Sequence, residues 1–145
     1  FVKNLYQKLY LSRISDNMNT MLVSGISMVR ALEITSEVVG NEIYKRALID
    51  AMEAVKGGRS VSDSLAEKRI IPGIMIQMIK VGEESGELGS ILKTLSDFYE
   101  REVVNAVDTL VDLIEPAMIV LLGLGVGFLL ASVLIPIYNI SANIS

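Results

Sequence analysis

Residues 116–138 read PAMIVLLGLGVGFLLASVLIPIY. A helix rises about 1.5 Å per residue, so ~20 apolar residues cross the ~30 Å hydrocarbon layer of a bilayer. The stretch has that length, and Ser132 is its only hydrophilic side chain before Tyr138. It reads as a transmembrane helix, with Tyr138 as an interfacial aromatic and residues 139–145 as a short polar tail beyond it. Working outward, all 13 basic and 17 acidic side chains lie within residues 1–115, and residues 116–145 carry none. The chain is therefore divided between two solvents. The positive-inside rule gives no orientation, because the nearest basic residue is Arg101 and none follows the span.

The 145 residues include no Cys, His or Trp. That removes histidine general catalysis, cysteine nucleophiles, most zinc sites and any disulfide framework. A net charge of −4 argues against a nucleic-acid surface, which is normally basic. The chain opens on Phe1 rather than Met, which predicts that it derives from a longer protein. Residues 1–15 mix Lys3, Lys8 and Arg13 with polar groups and lack the continuous apolar run of a signal peptide.

Before the span, apolar residues recur at helical spacing and nowhere sustain strand alternation. Leu5, Leu9, Ile14, Met18, Met21 and Leu22 form a first stripe that ends near Gly25. Ser27 is placed to cap a second helix that stops at Gly40, and Asn41 a third that stops at Gly57–Gly58. Ser60 and Asp63 resemble a capping box for a short fourth helix, and Pro72 suits the first turn of a fifth. The last stripe runs from Leu88 through Leu92, Leu95, Phe98 and Val107 to Ile114, and a kink is expected at Pro116. The expected fold is all-α: an antiparallel six-helix bundle over residues 1–115, a transmembrane helix over 116–138, and an extracytoplasmic tail over 139–145.

Between the fifth and sixth helices stands Gly82-Glu83-Glu84-Ser85-Gly86-Glu87-Leu88. Gly86 permits a positive φ, Ser85 is placed to cap, and Glu87 with Leu88 begins the next helix. With this motif the chain resembles the F-domain of type II secretion and type IV pilus inner-membrane platform proteins. Leu22 and Gly25 followed by Ala31-Leu32, Gly40-Asn41, and Gly58 with Ser60 and Leu65 also look like that family. So do Phe98-Tyr99-Glu100, Glu115-Pro116 and Pro136-Ile137.

The resemblance implies a multi-pass protein of the cell inner membrane with two cytoplasmic helical domains and three spans. This chain would be the second domain and the last span. It implies a platform that couples a cytoplasmic assembly ATPase to the insertion of pilin or pseudopilin subunits. It further implies contact with other inner-membrane assembly proteins and assembly with further copies of itself. No cofactor is expected, and G-x-x-x-x-G-K-[ST] does not occur, so ATP would be consumed by the partner. The alternative reading is a helical membrane adaptor or signalling protein with no part in fibre assembly.

Three features compete as sites. Glu83, Glu84 and Glu87 supply hard oxygen ligands but lack calcium-loop spacing, and a solvated helix end is the plainer reading. Gly123, Gly127 and Ala131 recur every four residues and form a small face suited to close helix packing in lipid. Arg46, Lys56, Arg59, Lys68, Arg69 and Lys80 read as a solvated surface, with Arg59, Lys68 and Arg69 flanking turns where a partner could reach them.

Overall fold

The computed structural model describes residues 1–144, and these form seven helices and no strand: α1 (Val2–Val23), α2 (Met28–Val38), α3 (Glu42–Lys56), α4 (Val61–Ala66), α5 (Gly73–Ser85), α6 (Leu88–Asp112) and α7 (Ile114–Ile144). They fall into two compact units, Phe1–Val104 and the segment from Asn105 onward. The first unit is a helical bundle built from α1 to α5 and the larger part of α6.

Local sequence sets the helix ends. The Ser27 hydroxyl accepts from the amide of Arg30, the Asn41 side chain from those of Ile43 and Tyr44, and the Ser60 hydroxyl from that of Asp63. Each satisfies an amide that the first turn leaves without a partner. Pro72 stands one residue before α5 rather than inside it, its φ of −58° pre-set for helix entry.

The helices enclose one core. Leu11, Ile14, Met18 and Met21 of α1 meet Leu32 and Leu48 of α2 and α3, Leu65 of α4, Met75 and Ile79 of α5, and Leu92 and Leu95 of α6. Neighbours in sequence pack together from α1 to α5. Two polar ties bring α6 back along α1. Asn19 Nδ2 donates to the carbonyl of Gly89 at 2.7 Å, and Lys8 Nζ pairs with Glu102 Oε2 at 2.7 Å. Residue numbers fall along one helix as they rise along the other, so the two run antiparallel.

Two stripe assignments shift. Leu11 is buried although the expected stripe omitted it, while Leu5 and Leu9 are half-buried. On α6 it is Tyr99 that is buried, whereas Phe98 is 49% exposed. The face carrying Leu92, Leu95 and Ser96 continues at Tyr99, and Phe98 stands about 100° around the helix from it. The displaced Phe98 ring packs edge-on to Tyr99, with centroids 5.2 Å apart.

In the second unit the helix breaks at Leu113 rather than kinking at Pro116. Proline has no N–H to offer the carbonyl four residues back, which is that of Asp112, where α6 ends. Pro116 then sits harmlessly in the first turn of α7. Among the described residues one helical run is long and apolar enough to cross a membrane, and none of its most apolar window is buried within the chain. Helix α7 has 31 residues and passes through Pro136 without ending. It extends past Tyr138, so the residues expected as a tail are helical up to Ile144.

Candidate functional site

The motif between α5 and α6 is a corner with its own cross-link. Gly86 adopts φ +73°, the left-handed conformation in which a β-carbon is strained, and its amide donates to the carbonyl of Gly82. The Glu87 amide donates to the same carbonyl at 3.0 Å, and the Ile91 amide then takes the Glu87 carbonyl at 3.1 Å to open α6. Ser85 does not cap α6 as expected. It closes the last turn of α5, and its hydroxyl donates back to the Gly82 carbonyl at 3.4 Å.

Gly82 is buried for a different reason. A β-carbon there would lie 3.0 Å from Cα of Leu88 and 3.1 Å from Cγ1 of Ile91. The end of α5 and the start of α6 can approach this closely only where a side chain is missing.

Glu83 does not lie free at a helix end. Its Oε1 accepts from the amide of Val61 at 2.5 Å, and its Oε2 from the amide of Ser62 at 3.0 Å and the Ser62 hydroxyl at 2.7 Å. The carboxylate therefore caps the first turn of α4 from α5, at amides the expected Ser60–Asp63 box would not have reached. Burial makes this cap matter: Val61 and Ser62 are only 4% and 2% exposed, so water cannot readily stand in. Glu84 and Glu87 are exposed, and among the described residues no three carboxylates gather to hold a cation.

In α7, Gly123, Gly127 and Ala131 follow one another at four-residue intervals, and a β-carbon added at either glycine would meet nothing within 4 Å. Among the described residues nothing packs against either glycine of this face.

Of the surface cations, Arg46 pairs with Glu42, Lys56 with Glu53, Arg59 with Glu67, and Lys68 with Asp50. Arg69 differs. It has φ +52°, the one positive value outside glycine among the described residues, and it borders an open cleft of about 840 Å³. Lys3, Tyr6, Tyr10 and Tyr44 share that lining. The Tyr6 and Tyr10 rings stack at 6.4 Å, and Tyr10 lies 5.3 Å from Tyr44. Burial pushes the Tyr44 phenol above its ordinary range, and the neighbouring Tyr10 adds to the shift. The Tyr99 phenol is raised mainly by burial as well, with Glu102 contributing next. These residues come from three separate segments, and no spacing in the sequence announces the cleft.

Residues 14–136 match the family described as type II secretion system (T2SS), protein F. The type IV pilus assembly protein PilC of Thermus thermophilus is 35% identical over 143 residues, 98% of this chain and 35% of that protein. The protein of the same name from Myxococcus xanthus is 33% identical over 138 residues, covering 95% of this chain and 33% of the relative. Type II secretion system protein F of Xanthomonas campestris pv. campestris is 31% identical over 140 residues, 97% of this chain and 35% of its own length. The chain thus spans about a third of the length of these relatives. A match that begins within α1, takes in the Gly82–Leu88 corner and runs to Pro136 in α7 places this chain in the type II secretion system protein F family.

Proposed function

We propose that this chain is the bundle and final span of an inner-membrane platform protein that serves type IV pilus or type II secretion assembly. The observation that carries the reading is the family match across both units, with relatives named for pilus assembly and for secretion. In this reading residues 1–115 form a cytoplasmic domain, 116–138 cross the membrane, and the rest emerges outside. A cytoplasmic ATPase binds the bundle, and its motion is passed to membrane helices that deliver pilin or pseudopilin subunits to a growing fibre. Further platform copies and other inner-membrane assembly proteins complete the machine.

Two features support a mechanical rather than a catalytic role. The Glu83 cap ties α4 to α5 and the Gly86 corner joins α5 to α6, and in this reading displacement passes along those ties. The small face of Gly123, Gly127 and Ala131 gives a second helix a place for close approach in lipid. The experiment is crosslinking and co-purification of the full-length protein from membranes. Recovery of a hexameric ATPase and a pilin supports the platform; recovery of neither, with intact protein present, favours a helical adaptor.

A further inference from the structure

The polar hold on α4 converges on one side chain. With six residues this helix owes its form to what surrounds it. The amides of Val61 and Ser62 and the Ser62 hydroxyl all end on the Glu83 carboxylate. The ion pairs add little. Arg59 with Glu67 joins the two ends of the segment itself, and Lys68 with Asp50 lies at the surface.

The apolar seat of α4 is incompletely filled. Val61 and Leu65 close over a small cavity of about 10 Å³, whose other walls are Ile14, Met18, Met75, Ile79, Leu88 and Leu92. A space of that size takes at most one water, and the side chains around it forgo dispersion contacts. The six other walls come from α1, α5 and α6, so the core beneath α4 has a lining of its own.

Both ends of the segment are places where the chain can turn. Gly58 stands at φ +94° with open space around it. Arg69 stands at φ +52°, a left-handed backbone that is strained in a residue with a β-carbon. Immediately beyond it the chain is pinned: Ile71 is buried, and Gln7 Nε2 donates to the carbonyl of Ile70 at 3.3 Å. The strain therefore sits between α4 and a fixed point, and it is relieved when α4 lets go.

We propose that α4 is a latch with Glu83 as its catch: residues 59–69 disengage together while α1, α2, α3, α5 and the bundled part of α6 stay folded. Opening frees the Glu83 carboxylate and bares the wall of Met75, Ile79 and Leu92, so the bundle holds a second surface in reserve. The latch does not depend on the platform reading.

The chain has no Cys, so each of two variants carries a single thiol. Ser64→Cys places it in α4 and Ser36→Cys in α2. The two serines are 2% and 3% exposed, and each hydroxyl donates to a carbonyl three or four residues back. Labelling with an aromatic disulfide is followed on the 145-residue chain in mild detergent, each rate divided by that of the same variant unfolded in urea. Ser64→Cys should react at least about tenfold faster than Ser36→Cys and rise less steeply with added urea, because less surface is exposed. Glu83→Gln should speed it about tenfold more. Asn41→Ala uncaps α3 and weakens the closed and open bundle alike, so it should speed Ser36→Cys about fivefold and leave Ser64→Cys unchanged. Equal rates with equal urea dependence, or Asn41→Ala speeding both thiols alike, means that α4 leaves only with the whole bundle and overturns the proposal. A Ser64→Cys rate untouched by Glu83→Gln overturns it as well.

Discussion

Glu83→Ala takes the acceptor from three donors at once. The amides of Val61 and Ser62 and the hydroxyl of Ser62 all end on that carboxylate. A buried donor left without an acceptor costs about 1–3 kcal/mol. The Ser62 hydroxyl can turn to Ser60 Oγ, 3.4 Å away, so the two amides dominate. Two such amides, eased by a small shift of the six-residue α4 toward water, give an expected loss of about 2–4 kcal/mol. That is a large share of the ~5–15 kcal/mol that holds a typical domain together. Glu83→Gln keeps one acceptor oxygen but turns an NH2 group toward the other donors, so about half the loss is expected. Urea unfolding of the chain in mild detergent, followed by tyrosine near-ultraviolet circular dichroism, reads the bundle rather than the helix in the micelle. Glu84→Ala, at an exposed position of the same helix, is the control and should stay within about 0.5 kcal/mol. If Glu83→Ala unfolds at the parental urea concentration, or Glu84→Ala costs as much, the cap does not hold α4 and the reasoning fails.

At the same corner, Gly86→Val should cost more than the ~1 kcal/mol of a helix-propensity change, since the strain lies in the backbone; a parental melting temperature would place Gly86 in ordinary helical geometry. Gly82→Ala should cost about 1–3 kcal/mol by overpacking against Leu88, whereas Gly73→Ala, with open space around it, should not; equal midpoints would refute the close approach. The raised phenols of Tyr44 and Tyr99 stabilise the fold fully below the ordinary phenol value of about 10, and that contribution is lost as pH rises through their higher folded values. Alkaline urea titrations should therefore show falling stability above pH ~10, and the fall should be shallower in Tyr44→Phe. In the full-length protein, Gly127→Ile should leave membrane levels normal while fibre assembly or secretion and crosslinking to a helical partner fall. Leu124→Ile, about 60° around the helix from Gly127, should be tolerated better, and parental assembly by Gly127→Ile would reduce the span to an anchor.

What could be read from the sequence was local. Ser27, Asn41 and Ser60 announce helix starts because each cap bonds to an amide two or three residues on. The left-handed Gly86 was legible for the same reason, and the uncharged run of α7 by composition alone. Glu83 was misread as a solvated end because its partners lie 21 and 22 residues earlier, a separation with no periodic trace. Gly82 looked like one glycine of a turn, and only the path of α6 reveals that Leu88 and Ile91 leave no room for a side chain. Tyr99 and Phe98 are adjacent aromatics, and which one enters the core depends on the rotation of α6, set by contacts elsewhere along it. The cleft was hidden most fully, since Tyr6, Tyr44 and Arg69 become neighbours only once the bundle closes.

The cap on α4 also bears on how the chain is born. Six residues are too few to hold a helix in water, where nucleation is unfavourable and even ~12–15 residues are marginal. Its N-terminal amides find their acceptor in a carboxylate that is synthesised about 20 residues later. While Glu83 remains inside the ribosome, the segment after Ser60 can at best flicker into helical form. The emergence of α5 thus sets the moment at which α4 becomes permanent. The first three helices can settle during translation, but the fourth must wait for a residue not yet in view.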